Sequence, residues 1–140
     1  MLIYPAVVVS GSFRRFFEEI SRTVAEFERI GVRVLSPSIS KIVNPGEEFA
    51  VFSTDHTTDV KTLEDRHLDA IRRSDALYLC DPGGYLGAST MMEVGAAIGW
   101  GKLVFCKELP QVDDRLLRLC GTVATPEQVR AEILSRYQRT

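Results

Sequence analysis

Residues 76–106 read ALYLCDPGGYLGASTMMEVGAAIGWGKLVFC, and the order of residue types along them decides the fold. An apolar run from Ala76 to Cys80 has the length and composition of a buried strand. The glycine-rich loop Asp81-Pro82-Gly83-Gly84-Tyr85-Leu86-Gly87 follows it. A helix is expected from about Thr90 to Trp100, and Leu103 to Cys106 returns to strand character. Strand, helix, strand in that order is a crossover unit, and a crossover helix is what joins parallel strands. The helix is apolar almost all round, with Gly95 and Gly99 allowing close approach. Such a helix is buried on more than one side, in the core or at a subunit contact.

Outward from this unit the same alternation continues. Leu2 to Val9 is read as a first, buried strand, and Ser10-Gly11-Ser12 as a short turn. Phe13, Phe16, Phe17, Ile20, Val24, Phe27 and Ile30 fall at helical spacing, and Gly31 stops that helix. Val32 to Leu35 is a second strand. From Ser36 to about Asp59 there is no sustained periodicity, and a connection of that length is usually a lid or a binding loop. Within it, Phe49 to Phe52 is a short apolar run suited to packing it down. A helix from about Asp59 to Arg73 carries Val60, Leu63, Ala70 and Ile71 on one stripe. Gly121 to Ala124 is a fifth strand. Thr125 and Pro126 open the last helix as N-cap and first residue. The expected fold is therefore one α/β domain over residues 1–140, flavodoxin- or Rossmann-like. Its five-stranded, mostly parallel sheet has helices on both faces.

Composition narrows the function. The chain has 140 residues, 45% of them hydrophobic and 26% charged, which excludes a disordered chain. A net charge of −2 with the signs interleaved gives no reason to expect a nucleic-acid polymer as partner. Leu2 to Val9 is far short of the roughly 20 residues of a membrane span. Cys80, Cys106 and Cys120 show no metal-ligand spacing, and they are read as reduced, buried thiols of a cytoplasmic protein. No metal or cofactor is expected.

In an open parallel sheet, ligands bind beyond the carboxyl ends of the strands. Two loops there carry chemistry. In Ser10-Gly11-Ser12, small residues between strand and helix let backbone N–H groups reach an anion. Arg14 and Arg15, read as first-turn cations, either complement such an anion or are simply solvated. In the second loop, Thr90 and Glu93 have capping-box spacing, so Glu93 either caps the helix or presents a carboxylate beside the glycine-rich loop. A carboxylate in that position can attack or stabilise an oxocarbenium-like carbon. His67 lies on an apolar stripe, where a satisfied core histidine is the ordinary meaning. His56 is expected to be solvated. Asp65 and Asp69, four apart, suit a wet helix face. Tyr85 either lines a ligand or anchors its loop, and Met91 and Met92 suit packing.

Together these residues resemble the nucleoside 2-deoxyribosyltransferase superfamily, whose members exchange bases on deoxynucleosides or hydrolyse nucleoside 5′-monophosphates. The likeness is carried by Ser10-Gly11-Ser12-Phe13-Arg14, Ser74-Asp75-Ala76-Leu77, the run from Gly87 to Ala97, and Gly101-Lys102-Leu103-Val104. It implies that Glu93 is the nucleophile at the anomeric carbon. It implies that Gly11, Ser12, Phe13 and Arg14 contact base or phosphate, and that Ser89 and Thr90 hold sugar or phosphate. Ser10, Tyr85 and Gly87 complete the expected binding set. Where the family has an aspartate assisting departure of the base, eight residues before Asp75, this chain has His67. Either His67 takes over that role, or Asp69 or Asp65 does, or the chain is a nucleotide-binding or sensing module. The Gly87–Glu93 spacing is also about two residues longer than in better-known members. Pro82-Gly83-Gly84-Tyr85, Gly87, Thr90 and Glu93 are also similar to the PGGxGTxxE signature of cytokinin-activating phosphoribohydrolases, which cleave the same kind of bond. The partner implied is a small nucleoside or nucleotide, and the apolar helix ending in Trp100 suggests a homodimer or larger assembly.

Overall fold

The computed structural model describes residues 4–38, 59–113 and 121–139. Five strands form one sheet: β1 (Ala6–Ser10), β2 (Arg33–Ser36), β3 (Ala76–Leu79), β4 (Leu103–Cys106) and β5 (Thr122–Val123). Their spatial order is β2-β1-β3-β4-β5, and every neighbouring pair is parallel. The mostly parallel sheet expected from the sequence is thus wholly parallel. The helices are α1 (Phe17–Arg29), α2 (Val60–Arg73), α3 (Ala88–Gly99) and α4 (Pro126–Gln138), with a short 3-10 turn at Pro82–Gly84.

Side chains alternate across a strand, and β1 uses both faces. Val7 and Val9 pack with Ile20, Val24 and Phe27 of α1 and with Val129 and Ile133 of α4. Val8 packs on the opposite face with Ala70 and Ile71 of α2 and Val94 and Ala97 of α3. All five residues of β1 are buried. A strand covered on both faces has no polar side to show, which is why its sequence is an unbroken apolar run.

Element starts differ from the sequence reading where local hydrogen bonds intervene. Residues 12–16 form a turn in which the Phe16 N–H donates to the Ser12 carbonyl at 2.9 Å. The first helix therefore opens at Phe17 and not Phe13, with Phe16 as N-cap and no side-chain cap. Arg14 and Arg15 precede the helix instead of lying in its first turn. That turn holds Glu18 and Glu19, the sign of charge a helix N-terminus favours. The third helix opens at Ala88, two residues before the expected Thr90, and is capped by Gly87 without a side-chain bond. Thr90 and Glu93 consequently sit inside it, both buried, and do not form a capping box. At the last helix the sequence reading holds: Thr125 caps, Pro126 follows, and Gln128 completes a reciprocal capping box. Cys80 and Cys106 are buried free thiols. Cys120, His56, the Phe49–Phe52 run and most of the connection from Ser36 to Asp59 lie outside the described residues.

Asp75 fastens the sheet to α4. Its Oδ2 accepts the Ala6 N–H at 2.8 Å, its own N–H donates to the Ala6 carbonyl at 2.8 Å, and the Tyr137 hydroxyl donates to Oδ1. Removing this carboxylate strands two donors, each loss costing about 1–3 kcal/mol. The Asp75→Ala chain should unfold at clearly lower urea concentration with an unchanged m-value; an unchanged midpoint would show that the clamp adds nothing.

Candidate functional site

The chain leaves β1 towards β2 on one side and returns to place β3 on the other, so the sheet's switch point lies between β1 and β3. Ligand crevices of such sheets open there, at the carboxyl ends of the strands. Ser10 ends β1 at this point and is fully buried. By the alternation of the strand it faces the same side as Val8, towards α2 and α3.

Those two helices supply the remaining groups. His67 of α2 and Glu93 of α3 are both almost completely buried. The His67 ring shares hydrogen bonds with two serines, Nε2 with Ser10 Oγ at 2.9 Å and Nδ1 with Ser36 Oγ at 2.6 Å. Its Nε2 also lies 3.5 Å from Glu93 Oε1. One ring therefore joins the ends of β1 and β2 to α3, and Phe13 meets it edge-on with centroids 5.8 Å apart. The core-histidine reading of the sequence is correct as to burial, yet the ring abuts the carboxylate singled out for chemistry. Ser10, His67 and Glu93 do not form a hydrolytic triad. The serine is inaccessible, and serine and carboxylate address the same ring nitrogen.

A residue that the sequence reading passed over completes the cluster. Glu64, one turn before His67 on α2, is half-buried and close enough to Glu93 for the two carboxyls to influence each other's titration. Burial, then the hydrogen bond and charge of Glu93, push the Glu64 carboxyl up to about 9. Burial also acts to raise Glu93, but the adjoining His67 ring and hydrogen bonds from His67, Glu64 and Ser10 carry it below the ordinary value. The two neighbouring carboxyls are thus pushed in opposite directions, Glu64 upward and Glu93 downward. The spacing Glu64-x-x-His67 was the available signal, because residues three apart share a helix face.

The glycine-rich loop is held by backbone contacts. A Cβ on Gly11 would stand 2.5 Å from the Cys80 carbonyl oxygen, so only glycine lets the first loop close against the end of β3. Asp81 accepts the N–H groups of Lys107 and Glu108 on Oδ1, at 3.1 and 3.0 Å. Gly83 donates to the Glu108 carboxylate at 3.1 Å, and Gln111 donates to the Gly84 carbonyl at 2.8 Å. These bonds staple the loop after β3 to the chain leaving β4. Arg15 lies over the Tyr85 ring, 4.3 Å from its centroid, and Phe16 meets the same ring edge-on. Tyr85 thus bridges the first and third loops while remaining exposed.

The other expected site residues divide. Ser12 and Phe13 are half-buried near the crevice, Arg14 is exposed, and at the start of α3 Ser89 is exposed and Thr90 buried. Gly87 is the N-cap of α3 and adjoins Tyr85. A cavity of about 580 Å³ opens between the end of β2 and α2, walled by Phe13, Leu35, Ser36, Leu63, His67 and Ala70. Asp65, Arg66, Asp69 and Arg73 bring charge to it. His67 forms the wall between this cavity and Glu93. The Asp69 carboxylate is not brought to Glu93: it is engaged by Arg72 at 2.6 Å and Arg73 at 2.9 Å. Those two hydrogen bonds hold it below the ordinary aspartate value. Asp65 is likewise paired with Lys61 at 2.7 Å. Among the described residues no set of three or more His, Cys, Asp or Glu side chains is arranged to hold a metal ion. Among the same residues no helix is long and apolar enough to cross a membrane.

No family model matches this chain, and no curated protein matches it in sequence. Solved structures do match in fold. A conserved protein from Enterococcus faecalis V583 aligns with TM-score 0.60 and 16% identity, covering 96% of this chain and 99% of that one. The Clostridium botulinum CMP N-glycosidase BcmB aligns with TM-score 0.53 and 14% identity, covering 91% and 97% respectively. The chain therefore shares, over nearly its whole length, the fold of a nucleotide N-glycosidase.

Asp81 makes the loop staple sensitive to pH. Burial raises its carboxyl to about 6 from an ordinary 3.8, against the backbone hydrogen bonds of Glu108, Asp81 itself and Lys107 that lower it, and Oδ2 has no partner. The native chain holds the extra proton between these values, so the stability this proton contributes is present below pH 4 and lost as pH rises through 6. Relative to Asp81→Asn, the wild type should lose about 3 kcal/mol between pH 4 and 7. Denaturant titrations at several pH values measure this, and parallel curves for the two chains would refute it.

Proposed function

We propose that this chain cleaves or transfers the N-glycosidic bond of a nucleoside or nucleoside 5′-monophosphate, with Glu93 as nucleophile at the anomeric carbon. The observation that carries the proposal is a buried carboxylate, Glu93, 3.5 Å from the ring of His67, which Ser10 and Ser36 hold at the ends of β1 and β2. The fold shared with a CMP N-glycosidase supports it. A carboxylate fixed in direction loses little freedom on reaching the transition state. Its attack on the anomeric carbon breaks the C–N bond, and the base departs with the electron pair and takes up a proton. Water, or a second base, then attacks the glycosyl ester and releases the Glu93 carboxylate.

We assign to substrate Gly11, Ser12, Phe13 and Arg14 of the first loop, Tyr85 and Gly87 of the third, and Ser89 and Thr90 at the start of α3. The exposed Arg14 suits a 5′-phosphate. Ser10 and His67 act in this scheme by orienting Glu93, since both ring nitrogens of His67 are already engaged. Asp69, ionised and doubly paired, has no proton to give at neutral pH. The outer face of α3 exposes Met92, Ile98 and Trp100, an apolar surface that we assign to a second copy of the chain.

Purified protein incubated with ribo- and deoxyribonucleosides and their 5′-monophosphates, with and without a free base, should release a base or form a new nucleoside on chromatography. Glu93→Ala should lose more than about 1000-fold in turnover with its circular dichroism unchanged. Substantial remaining activity would remove Glu93 from the nucleophile role. Absence of product from every substrate would instead favour a nucleotide-binding module. Size-exclusion at micromolar concentration should give a dimer or larger species, and a monomer alone would refute the assignment of the α3 face.

A further inference from the structure

We propose that Ser36 is a positioning residue: its hydroxyl donates to Nδ1 of His67 and keeps the proton of the neutral ring on Nε2, the nitrogen that faces Glu93. The inference rests on the reading of Glu93 as nucleophile, and it gives a role to a residue outside the expected set. Its basis is a line of contacts through one buried ring. Ser36 Oγ lies 2.6 Å from Nδ1, Ser10 Oγ lies 2.9 Å from Nε2, and Glu93 Oε1 lies 3.5 Å from the same Nε2. His67, Ser10 and Glu93 are all withdrawn from solvent.

A neutral imidazole offers one donor and one acceptor, and its neighbours decide which nitrogen is which. A carboxylate can only accept, so an ionised Glu93 calls for the proton on Nε2. The opposite tautomer would turn the Nε2 lone pair towards the carboxylate oxygen, leaving two acceptors face to face in a buried place. The Ser10 hydroxyl both donates and accepts, and it suits either tautomer. With the proton on Nε2, Nδ1 is a lone pair that needs a donor. Ser36 Oγ stands at hydrogen-bond distance from it, and its hydroxyl can rotate to supply the hydrogen.

The topology gives this contact its leverage. Ser36 ends β2 and Ser10 ends β1, neighbouring strands of the sheet, while His67 belongs to α2 and Glu93 to α3. Two strand ends therefore grip the ring, one at each nitrogen, and Phe13 meets it edge-on. A half-turn of the ring about its Cβ–Cγ bond would put carbon in the place of both nitrogens and break both bonds. Without the Ser36 hydroxyl one of the two restraints is gone, and the donor offered to Glu93 loses its fixed direction. A nucleophile whose partner wanders reaches the anomeric carbon in the productive orientation less often.

The test is two-bond proton–nitrogen correlation of the histidine rings in the nitrogen-15-labelled full chain at pH 8, above the ordinary histidine range. The His67 signals are those lost in His67→Asn. In the wild type Nε2 should carry the proton, and Nδ1 should have the shift of a hydrogen-bonded lone pair. In Ser36→Ala the Nδ1 signal should move towards that of a free lone pair, and kcat should fall about tenfold with KM within about twofold of wild type. Ser36→Thr, which retains the hydroxyl, should restore both. A wild-type ring protonated on Nδ1, or a His67 signal unaltered in Ser36→Ala, would overturn the proposal, as would equal losses of kcat in the alanine and threonine variants. If no nucleoside substrate turns over, the glycosidase reading fails alone, because the nitrogen signals still report which atom of His67 holds the proton and whether Ser36 keeps it there.

Discussion

A carboxylate withdrawn from water must find its donors within the protein, and much of this architecture serves that one requirement. Glu93 lies inside a mainly apolar helix, on the side packed against the sheet, where an unassisted charge would be prohibitive. Its support comes from two parts of the chain distant in sequence: His67 on α2, and Ser10 at the end of β1, which holds the His67 ring. His67 is in turn held by Ser36 at the end of β2. The arrangement works only if β1, β2, α2 and α3 meet at one edge, which is what the order β2-β1-β3-β4-β5 achieves. Topology and electrostatics are here one problem, since the switch point is the place where two strand ends and two helices converge.

Much of the fold was legible because burial leaves a strong imprint on composition. The central strands are covered on both faces and read as continuous apolar runs, and β4 was bounded correctly. The capping of α4 was legible because Thr125 and Pro126 act locally. Errors arose where a local signal competed with another. The aromatic spacing from Phe13 to Phe17 is helical, yet Phe13 turns to His67 and Phe16 to Tyr85, so the chain spends them on a turn before the helix. Thr90 and Glu93 have the spacing of a cap, but the helix opens earlier, at Ala88, and the same spacing then places both on a buried face.

The site was legible only in part, and for a related reason. Glu93 and His67 stand out in sequence because polar residues interrupt apolar stripes. Glu64 stands next to Asp65 in a helix with Lys61, Arg66, Asp69, Arg72 and Arg73, where another carboxylate carries no distinguishing mark. Its inward direction is set by α3, which is remote in sequence. The difference between Glu64 and Asp69 is likewise a matter of partners. Asp69 meets two arginines at the surface, while half-buried Glu64 has another carboxyl, Glu93, for a neighbour.

The seams that join the third loop to the first loop and to the chain leaving β4 have a bearing on how this molecule can diversify. Gly11 lies against the Cys80 carbonyl, and a Cβ at Gly84 would meet the Leu109 carbonyl oxygen at 2.5 Å. Neither position accepts a side chain without moving backbone, and Asp81 binds the loop from behind. The floor of the crevice therefore has almost no mutational freedom. Variation is channelled to the rim, to Ser12, Arg14, Tyr85 and Ser89, where exchanges leave the seam untouched. Descendants of such a chain would inherit a fixed backbone seam and drift in the side chains around it.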